Sequence, residues 1–355
     1  MSLFAAVAYA VIVLMIAVVA LSAFAVVERY VTNRREARAE ELRSEMLEAL
    51  RRFLANHSSL EEAAKSLRRN RAIAVDALVT LADDQPDPQL HRLHGLLEHL
   101  RLHQRMLAQL RHRDWTRRAH AATRLGMLRY AKAVPALVVA LDDALLDVRL
   151  AAANALARLR AAETIERILE SLALPTRWPL QRCAEILHSM GPDAATPLTM
   201  LVGIGSLPDP ETAAAIKALG MLRARAAVPV LVTRLDHSNE EIRISSAKAL
   251  GLIGSVEAAS PLRTALDDPA WPARSAAAQA LGNLADRSVI PDLTEKLADP
   301  AWWVRFNAAE ALYRLGAAET LRAAMTRHDD RFARDISRQV LEEHNVVPAM
   351  GPAAP

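Results

Sequence analysis

Two stretches of the sequence, 31 residues apart, decide the fold: residues 266–281 read LDDPAWPARSAAAQAL and residues 297–312 read LADPAWWVRFNAAEAL. Residues 235–250, LDHSNEEIRISSAKAL, follow the same pattern. In each copy an arginine lies eight positions after the opening leucine, a small residue lies eleven positions after it and a leucine fifteen. A fixed period of this size is typical of proteins built from stacked structural repeats.

One copy of the pattern predicts a pair of helices joined by an acidic turn. A proline precedes each opening leucine (Pro229, Pro261 and Pro291) and suits the first turn of a helix, where its missing N–H costs nothing. The acidic turn ends that helix and supplies carboxylates that cap the next one. Each helix carries a wide apolar stripe that a single pair cannot bury, so neighbouring pairs must stack. The predicted fold class is therefore all-α, an α-solenoid of helical hairpins.

The order of residues resembles that of the HEAT-repeat family, and within it the bilin-lyase-like repeat class. Proline is followed by leucine, aspartate, an aliphatic residue with arginine, and an alanine-rich run that ends in leucine. Residues 229–315 and 135–159 match best, and two intervening copies are degenerate because Leu180 and Thr212 occupy the arginine position. The resemblance implies a solenoid fold. It implies no particular activity, because this repeat serves many unrelated functions.

Residues 3–27 contain no charged side chain. At about 1.5 Å per residue the segment exceeds the roughly 30 Å hydrocarbon core of a bilayer, so it predicts one transmembrane helix. The alternative is a cleaved signal peptide with Ala23-Phe24-Ala25 at the cleavage site. The length of the apolar run, and the lack of Lys or Arg before it, favour an uncleaved anchor.

Basic residues follow the apolar segment and predict its orientation, because they favour the cytoplasmic side. They are Arg29, Arg34, Arg35 and Arg38. We therefore expect a single-pass protein of the inner or plasma membrane, with its N-terminus outside and its solenoid in the cytoplasm.

Five parts are predicted along the chain. They are a transmembrane anchor (1–27), a charged stalk helix (28–54), divergent N-terminal helical repeats or a cap (55–104), HEAT-like repeats (105–345) and a disordered tail (346–355). Within the third part, Ser58-x-x-Glu61 predicts a capping box that opens a helix. The single Cys183 excludes a disulfide framework and a cysteine-based zinc site, and we interpret it as a small buried side chain.

The segment His91–Lys132 is strongly basic, with ten Lys and Arg against two acidic residues and with six of the 11 histidines. The whole chain has a formal net charge of only +3, so this asymmetry predicts either an anionic partner or a solvated basic face. The candidate contact residues are Arg105, Arg111, Arg113, Trp115 and Arg117.

Four anionic partners fit this segment: an acidic lipid surface, a phosphorylated ligand, an acidic protein patch and nucleic acid. Nucleic acid is the least favoured, because only Trp115 and Tyr130 are available to stack on bases. His99 and His103 share a helix face, but no second ligand pair accompanies them. No metal or other cofactor is therefore predicted.

The tryptophans are also placed periodically. Trp115, Trp271 and Trp302 each lie five residues after the opening leucine of their repeat, and Trp303 follows directly. Trp178 lies six residues after its leucine. This spacing predicts a row of tryptophans along the turns between the two helices of each repeat. The rings either pack against the next turn or serve as anchors for a protein partner, since Trp is enriched at interface hot spots.

The recurring arginines are interpreted as a structural ladder with the turn aspartates, and the alternative is an anion-binding row. The ladder residues are Arg118, Arg149, Arg243, Arg274, Arg305, Asp268 and Asp299. The expected partners are Asp236 for Arg243, Asp267 or Asp268 for Arg274, and Asp299 for Arg305.

The sequence contains no phosphate-binding loop, nucleophile elbow or HExxH motif. We therefore expect a non-enzymatic scaffold that binds a protein at the cytoplasmic face of the membrane, as an accessory subunit of a membrane complex. The anchor would raise the local concentration of its binding surface near membrane partners. The alternatives are a bilin-lyase-like or other HEAT-type enzyme, and a binder of nucleic acid or another anionic ligand through His91–Lys132.

Overall fold

The computed structural model of the chain describes residues 3–82, 85–171 and 180–345. Within these ranges it forms twenty α-helices, joined in places by single 3-10 turns, and no strand. The chain divides into two compact units. Unit 1 comprises the described residues up to Arg111 together with Met127–Tyr130, and unit 2 comprises His112–Gly126 and the described residues from Ala131 onward. Trp178 and the predicted tail 346–355 lie outside the described residues.

Unit 1 contains five helices. They are α1 (Leu3–Leu54), α2 (Leu60–Leu67), α3 (Arg71–Ala82), α4 (Asp87–His99) and α5 (Leu102–Gln109). The predicted apolar segment and the predicted stalk form one continuous helix of 52 residues, α1. Its N-terminal portion is long and apolar enough to cross a membrane. Further along, Met46 and Leu50 are fully buried where α1 packs on α2 and α3.

The capping box that opens α2 lies one residue later than the sequence predicts. Ser59 is the N-cap, its Oγ accepts the N–H of Glu62 at 3.3 Å, and the Glu62 carboxylate accepts the N–H of Ser59 at 2.8 Å. The prediction of Ser58 and Glu61 is wrong because the same Ser-x-x-Glu spacing occurs in both registers. Glu61 instead binds Arg68 at the far end of the helix, at 2.8 Å.

Unit 2 is built from helix pairs in which a short first helix precedes a longer second helix. Its helices are α6 (Trp115–Met127), α7 (Val134–Ala140), α8 (Leu146–Arg158), α9 (Ile165–Glu170), α10 (Leu180–Ser189), α11 (Ala195–Ile204), α12 (Asp209–Met221), α13 (Val228–Thr233), α14 (Glu240–Ile253), α15 (Ala259–Ala265), α16 (Trp271–Asn283), α17 (Ile290–Glu295), α18 (Trp302–Arg314), α19 (Ala318–Arg327) and α20 (Arg331–Glu343). Cys183 is fully buried in α10, and this burial raises the pKa of its thiol to about 12.

The second helices stack on one another in chain order, from α12 through α14, α16 and α18 to α20. Their backbones meet where a glycine of one helix faces an alanine of the next. A Cβ added to Gly251 would lie 2.7 Å from the Cα of Ala280, and one added to Gly282 would lie 2.7 Å from the Cβ of Ala311. No side chain fits at these crossings. Equivalent contacts join Gly126 to Ala155 and Gly220 to Ala249.

Replacement of Gly251 by alanine tests this close contact. The new Cβ forces α14 and α16 apart, so we expect the free energy of unfolding to fall by about 1–3 kcal/mol. This loss outweighs the gain of about 1 kcal/mol in helix propensity. Urea unfolding of the full chain in a neutral detergent, followed by circular dichroism, measures the change.

Gly203→Ala is the matched control, because Gly203 also lies in a helix of unit 2. An added Cβ there meets only the side chain of Val230, at 3.7 and 3.9 Å, which is ordinary van der Waals contact. We expect this variant to be as stable as the wild type or more stable, by up to about 1 kcal/mol. Equal destabilisation by the two substitutions would contradict the proposed crossing.

Candidate protein-binding site

The ladder arginines each lie at the fourth position of a second helix and bind the turn that precedes it. In Arg274, Nη1 donates to the carbonyl oxygens of Asp268 at 2.9 Å and Pro269 at 3.3 Å. Arg243 holds the carbonyls of His237 and Ser238 in the same way, at 2.9 and 3.1 Å. The same geometry recurs at Arg118, Arg149 and Arg305.

The carboxylate partner comes from the following repeat, which corrects the predicted pairing. Arg243 binds Asp268 through Nε at 2.7 Å and Nη2 at 3.0 Å, and Arg274 binds Asp299 at 2.8 and 3.0 Å. Arg118 forms the same bidentate pair with Asp143, at 2.6 and 2.9 Å. One edge of each guanidinium faces the carbonyls of its own turn, so only the other edge is available to a carboxylate. That edge faces the next turn along the stack.

The last repeats depart from this arrangement. The Arg305 guanidinium lies over the ring of Phe332, 4.9 Å from its centre, and Asp299 offers it only a backbone carbonyl. Arg334 is a further member that the sequence analysis missed, because it lies 29 residues after Arg305 rather than 31. Its Nη1 donates to the carbonyls of His328 and Asp329 at 2.6 and 2.9 Å.

The ion pairs between repeats are largely buried. For Arg243 and Asp268 the side chains are 14% and 6% exposed. Burial by itself would raise the pKa of Asp268, but the hydrogen bonds from Arg243 and from the N–H of Ala270 outweigh it and lower that pKa below its usual value. The carboxylate is therefore ionised at neutral pH and completes a charge-assisted pair.

The turn aspartates also place the tryptophans. Asp268 Oδ1 accepts the N–H of Ala270 at 2.8 Å, and Ala270 is the N-cap of α16. Trp271 is therefore the first residue of α16, immediately after a turn that ion pairs hold on both sides. Asp299 fixes the start of α18 in the same way, through the N–H of Ala301 at 2.8 Å.

Two of the predicted tryptophans line one groove on the second helices α14, α16 and α18. Trp271 is 46% exposed and Trp303 is 53% exposed, and both border a cavity of about 290 Å³. The remaining lining residues are Glu241, Ile244, Lys248, Pro272, Ser275, Ala276, Gln279 and Asn307. We call this cavity with its lining the tryptophan groove. It joins two large aromatic faces to a polar wall, a combination typical of protein-binding sites.

The polar wall of the tryptophan groove is not predicted from the sequence. Asn307 Nδ2 donates to Ser275 Oγ at 2.7 Å, and Ser275 Oγ donates to the carbonyl of Trp303 at 3.3 Å, so this wall is ordered before any partner binds. The available signal was periodic: Lys248 and Gln279 lie 31 residues apart on successive second helices.

Trp302 lies in an aromatic cluster at the start of α18. Its ring stacks on Phe306, with centres 5.1 Å apart and planes at 12°, and meets Trp303 edge-on at 4.7 Å. Trp302 remains 41% exposed. Contact with this cluster holds the ring of Trp303 in place, so the exposed face of Trp303 is preformed. Trp115 is also 41% exposed, at the start of α6.

The predicted basic contact residues do not belong to one compact unit. Arg105 and Arg111 are exposed in unit 1, whereas Arg113, Trp115 and Arg117 are exposed in unit 2. Other basic residues of His91–Lys132 have structural roles within a unit. Arg92 donates to the carbonyl of Phe53 at 2.7 Å, and Arg118 belongs to the ladder. Binding of an anion by the four exposed arginines stays a prediction.

The family model of HEAT repeats matches this sequence in three segments, residues 104–188, 206–281 and 260–342, and the last two overlap. Together they cover more than half of the chain. The chain belongs to the HEAT-repeat family. Its arginine–aspartate ladder and stacked second helices are thus the framework of a HEAT-repeat protein. A comparison with curated proteins gives no match.

Several solved structures are similar to this HEAT-repeat chain. Human deoxyhypusine hydroxylase in complex with glycerol has 22% identity and a TM-score of 0.32, over 68% of this chain and 96% of that one. The CpcE–CpcF complex of phycocyanin lyase from Nostoc sp. PCC7120 has 21% identity and a TM-score of 0.33, over 67% and 92%. Kap121p bound to Nup53p has 14% identity and a TM-score of 0.44, over 84% and 41%. Identities and TM-scores this low carry no functional information.

A double-mutant cycle tests the direction of the ladder. We expect Arg243→Ala and Asp268→Ala to be coupled by about 1.5–3 kcal/mol in the free energy of unfolding, because hydrogen bonds between charged groups are strong when largely buried. The control cycle combines Arg243→Ala with Asp236→Ala, and we expect a coupling below about 0.5 kcal/mol. Stronger coupling to Asp236 would restore the pairing within one repeat.

The same cycle predicts a pH dependence. Because the pKa of Asp268 is lowered in the folded state, its contribution is present above the unfolded value of about 3.9 and is lost as the pH falls through the folded pKa. The Arg243–Asp268 coupling should therefore be constant from pH 7 to about pH 5 and decrease below about pH 4. A coupling that weakens between pH 7 and pH 5 would contradict this assignment.

Proposed function

We propose that this HEAT-repeat protein is a scaffold, held at the membrane by its N-terminal helix, that binds a protein partner in the tryptophan groove. The partner is a membrane-associated protein, and the scaffold acts as an accessory subunit of its complex. The repeats lie on the cytoplasmic side of the inner or plasma membrane. The observation that carries the proposal is the groove itself, where two half-exposed tryptophans stand beside an ordered polar wall.

The composition of the tryptophan groove indicates what it binds. Trp271 and Trp303 offer flat apolar faces that suit an aliphatic or proline side chain. Lys248 supplies a positive charge, and Glu241, which also pairs with Lys217 at 2.8 Å, supplies a negative one. Gln279 supplies an amide that can bind the backbone of a peptide, and Asn307 supplies its Oδ1, because its Nδ2 is bonded to Ser275. This mixture fits a polypeptide segment better than an anionic polymer. Binding therefore depends mainly on apolar burial and hydrogen bonds, and only weakly on salt.

Anchoring is supported by the N-terminal part of α1. Apolar side chains there are exposed to a degree that is costly in water, for example Leu21 at 68% and Phe24 at 66%. Arg29, Arg34, Arg35 and Arg38 follow, and they favour a cytoplasmic position for the rest of the chain. The same helix continues without a break to Leu54, so one continuous helix would connect the bilayer to the other helices of unit 1.

Binding is proposed in preference to catalysis. Among the described residues, no group of three or more His, Cys, Asp or Glu side chains is placed to hold a metal ion. Three of the ladder arginines, Arg118, Arg243 and Arg274, are paired with aspartates of the following turn, and these pairs hold the turns in place. The groove residues include no nucleophile paired with a base.

Removal of the groove tryptophans tests the binding site. We expect Trp271→Ala and Trp303→Ala each to weaken partner binding about 30-fold, as for interface hot spots of about 2 kcal/mol. The full chain is tagged at its C-terminus and recovered from detergent-solubilised native membranes, and the partner that co-purifies with the wild type is quantified by mass spectrometry. Its recovery should persist in 0.5 M salt.

Trp115→Ala serves as the control, because Trp115 begins a second helix and is as exposed as Trp302 but does not line the groove. We expect this variant to retain the partner. If all three variants retain it, the groove is not the binding site. If recovery is lost at high salt and not by the tryptophan changes, the exposed arginines carry the interaction instead.

The orientation is tested with a reporter fused after Pro355. Because the arginines follow the apolar segment, we expect a C-terminal green fluorescent protein to be fluorescent and a C-terminal alkaline phosphatase to be inactive. The mature chain should begin near Met1. An active phosphatase, or an N-terminus at Val26, would show translocation of the repeats or cleavage of a signal peptide.

A further inference from the structure

Unit 1 contains a second cavity, of about 290 Å³, where the end of α2 meets the junction of α4 and α5. Arg68, Arg71, His99 and Arg101 line it, together with leucines of the same segments. Four basic side chains thus converge on one concave site. His99 and Arg101 lie within the basic segment His91–Lys132, but none of the four is among the contact residues predicted for that segment.

The balance of charge in this cavity is positive. The one acidic residue bound there is Glu61, which pairs with Arg68 at 2.8 Å and lies 3.1 Å from His99 Nε2. The side chains of Arg71 and Arg101 form no hydrogen bond or ion pair with any residue in the described part of the chain. Two exposed guanidinium groups without an acidic partner in this part of the chain therefore border the same cavity. A bound anion would reduce the repulsion between these like charges.

Backbone groups of both signs border the cavity, because α2 and α4 end there at their C-caps, Arg68 and Leu100, and α5 begins there. Helix α5 begins at the cavity with Leu102, and its N-cap, Arg101, provides no side-chain hydrogen bond to the first turn. The N–H groups at the start of a helix carry partial positive charge and bind anions when no side chain caps them. Arginine and such N–H groups together match a phosphate, which has several acceptor oxygens and up to two negative charges.

We propose that this cavity binds the phosphate group of a phosphorylated small molecule or of a lipid headgroup. Arg71 and Arg101 are the principal ligands, Arg68 contributes while it remains paired with Glu61, and His99 closes the side of the cavity. The site is independent of the tryptophan groove, since its residues all belong to unit 1 and the groove belongs to unit 2.

The position of the cavity favours a soluble phosphate compound over a headgroup. Arg69, next to Arg68, pairs with Glu45 of α1. Glu45 lies 18 residues after Val27, the end of the apolar segment, and the intervening chain is helical. At about 1.5 Å per residue this separation is about 27 Å along the helix, farther than a headgroup extends from the bilayer.

Pyrophosphate titration of the full chain in a neutral detergent, at constant ionic strength, tests the site by isothermal calorimetry. We expect saturable binding by the wild type, and at least tenfold weaker binding by the Arg71→Gln, Arg101→Gln double variant. The single variant Arg71→Gln should weaken binding at least threefold. Arg101 has a left-handed backbone conformation, and its replacement could impair folding of the double variant. The single variant leaves Arg101 unchanged, so its affinity tests the site even if the double variant fails to fold.

The matched control removes the same two charges elsewhere. Arg287 and Arg327 are exposed, and neither lines the cavity. The double variant Arg287→Gln, Arg327→Gln should bind pyrophosphate within twofold of the wild type. The proposal is overturned if the wild type does not bind pyrophosphate, or if both double variants lose affinity equally, since equal loss reports only net charge.

The source of the phosphate is resolved by repeating the titration in nanodiscs. One set contains only phosphatidylcholine, and the other contains about one quarter phosphatidylglycerol. A soluble ligand predicts equal pyrophosphate affinity in both sets. A headgroup ligand predicts at least tenfold weaker apparent affinity in the discs with phosphatidylglycerol, because the lipid then occupies the cavity, and Arg71→Gln removes this competition.

Discussion

The second helices of unit 2 touch backbone to backbone, and the rest of the repeat stack depends on that contact. Gly220, Gly251 and Gly282 each meet an alanine of the next second helix at a distance that excludes a Cβ. Each glycine faces a residue 29 positions later, whereas the repeat period is 31. The crossing residues therefore differ by two positions in the repeat, about 3 Å along a helix. Any larger side chain would change both the spacing and this offset.

The close crossing explains why the arginine ladder joins one repeat to the next. With second helices this near, an arginine at the fourth helical position reaches the following turn with one edge and its own turn with the other. A buried ion pair often contributes little net stability compared with apolar packing of the same volume. Its geometric effect is clearer: Asp268 holds Arg243 and the N–H of Ala270 at once, so it fixes the start of α16 relative to α14.

Much of this architecture could be predicted from the sequence, because the period and the apolar stripes are local patterns. The pairs of helices and the acidic turns between them follow from these patterns directly. The spacing places Trp271 and Trp302 in the turns, whereas each is the first residue of a second helix. The partners of Arg243 could not be predicted in the same way. Asp236 and Asp268 are both turn aspartates near it in the repeat frame, and only the orientation of the guanidinium distinguishes them.

The two cavities likewise could be predicted only in part from local sequence patterns. The spacing of the tryptophans indicates Trp271 and Trp303. The polar wall beside them, including Ser275 and Asn307, forms only where three helices lie side by side. Arg71 and Arg101 are 30 residues apart in a part of the chain without a clear repeat. No periodic signal marks them, and the packing of α2 and α3 against α4 brings the start of α3 and the start of α5 to one cavity.

The first residue of the second helix differs in type from one repeat to the next. That position holds Asp209 in α12 and Glu240 in α14, but Trp271 in α16 and Trp302 in α18. An acidic residue there interacts favourably with the helix dipole, by about 0.3–1 kcal/mol, and an exposed tryptophan forgoes this contribution. The turn geometry is the same in α14, α16 and α18, because a ladder arginine holds each turn. Trp302 has a packing role at this position, because its ring stacks on Phe306 and meets Trp303 edge-on. Trp271 instead lines the tryptophan groove and remains 46% exposed, so its position supports the groove as the proposed binding site.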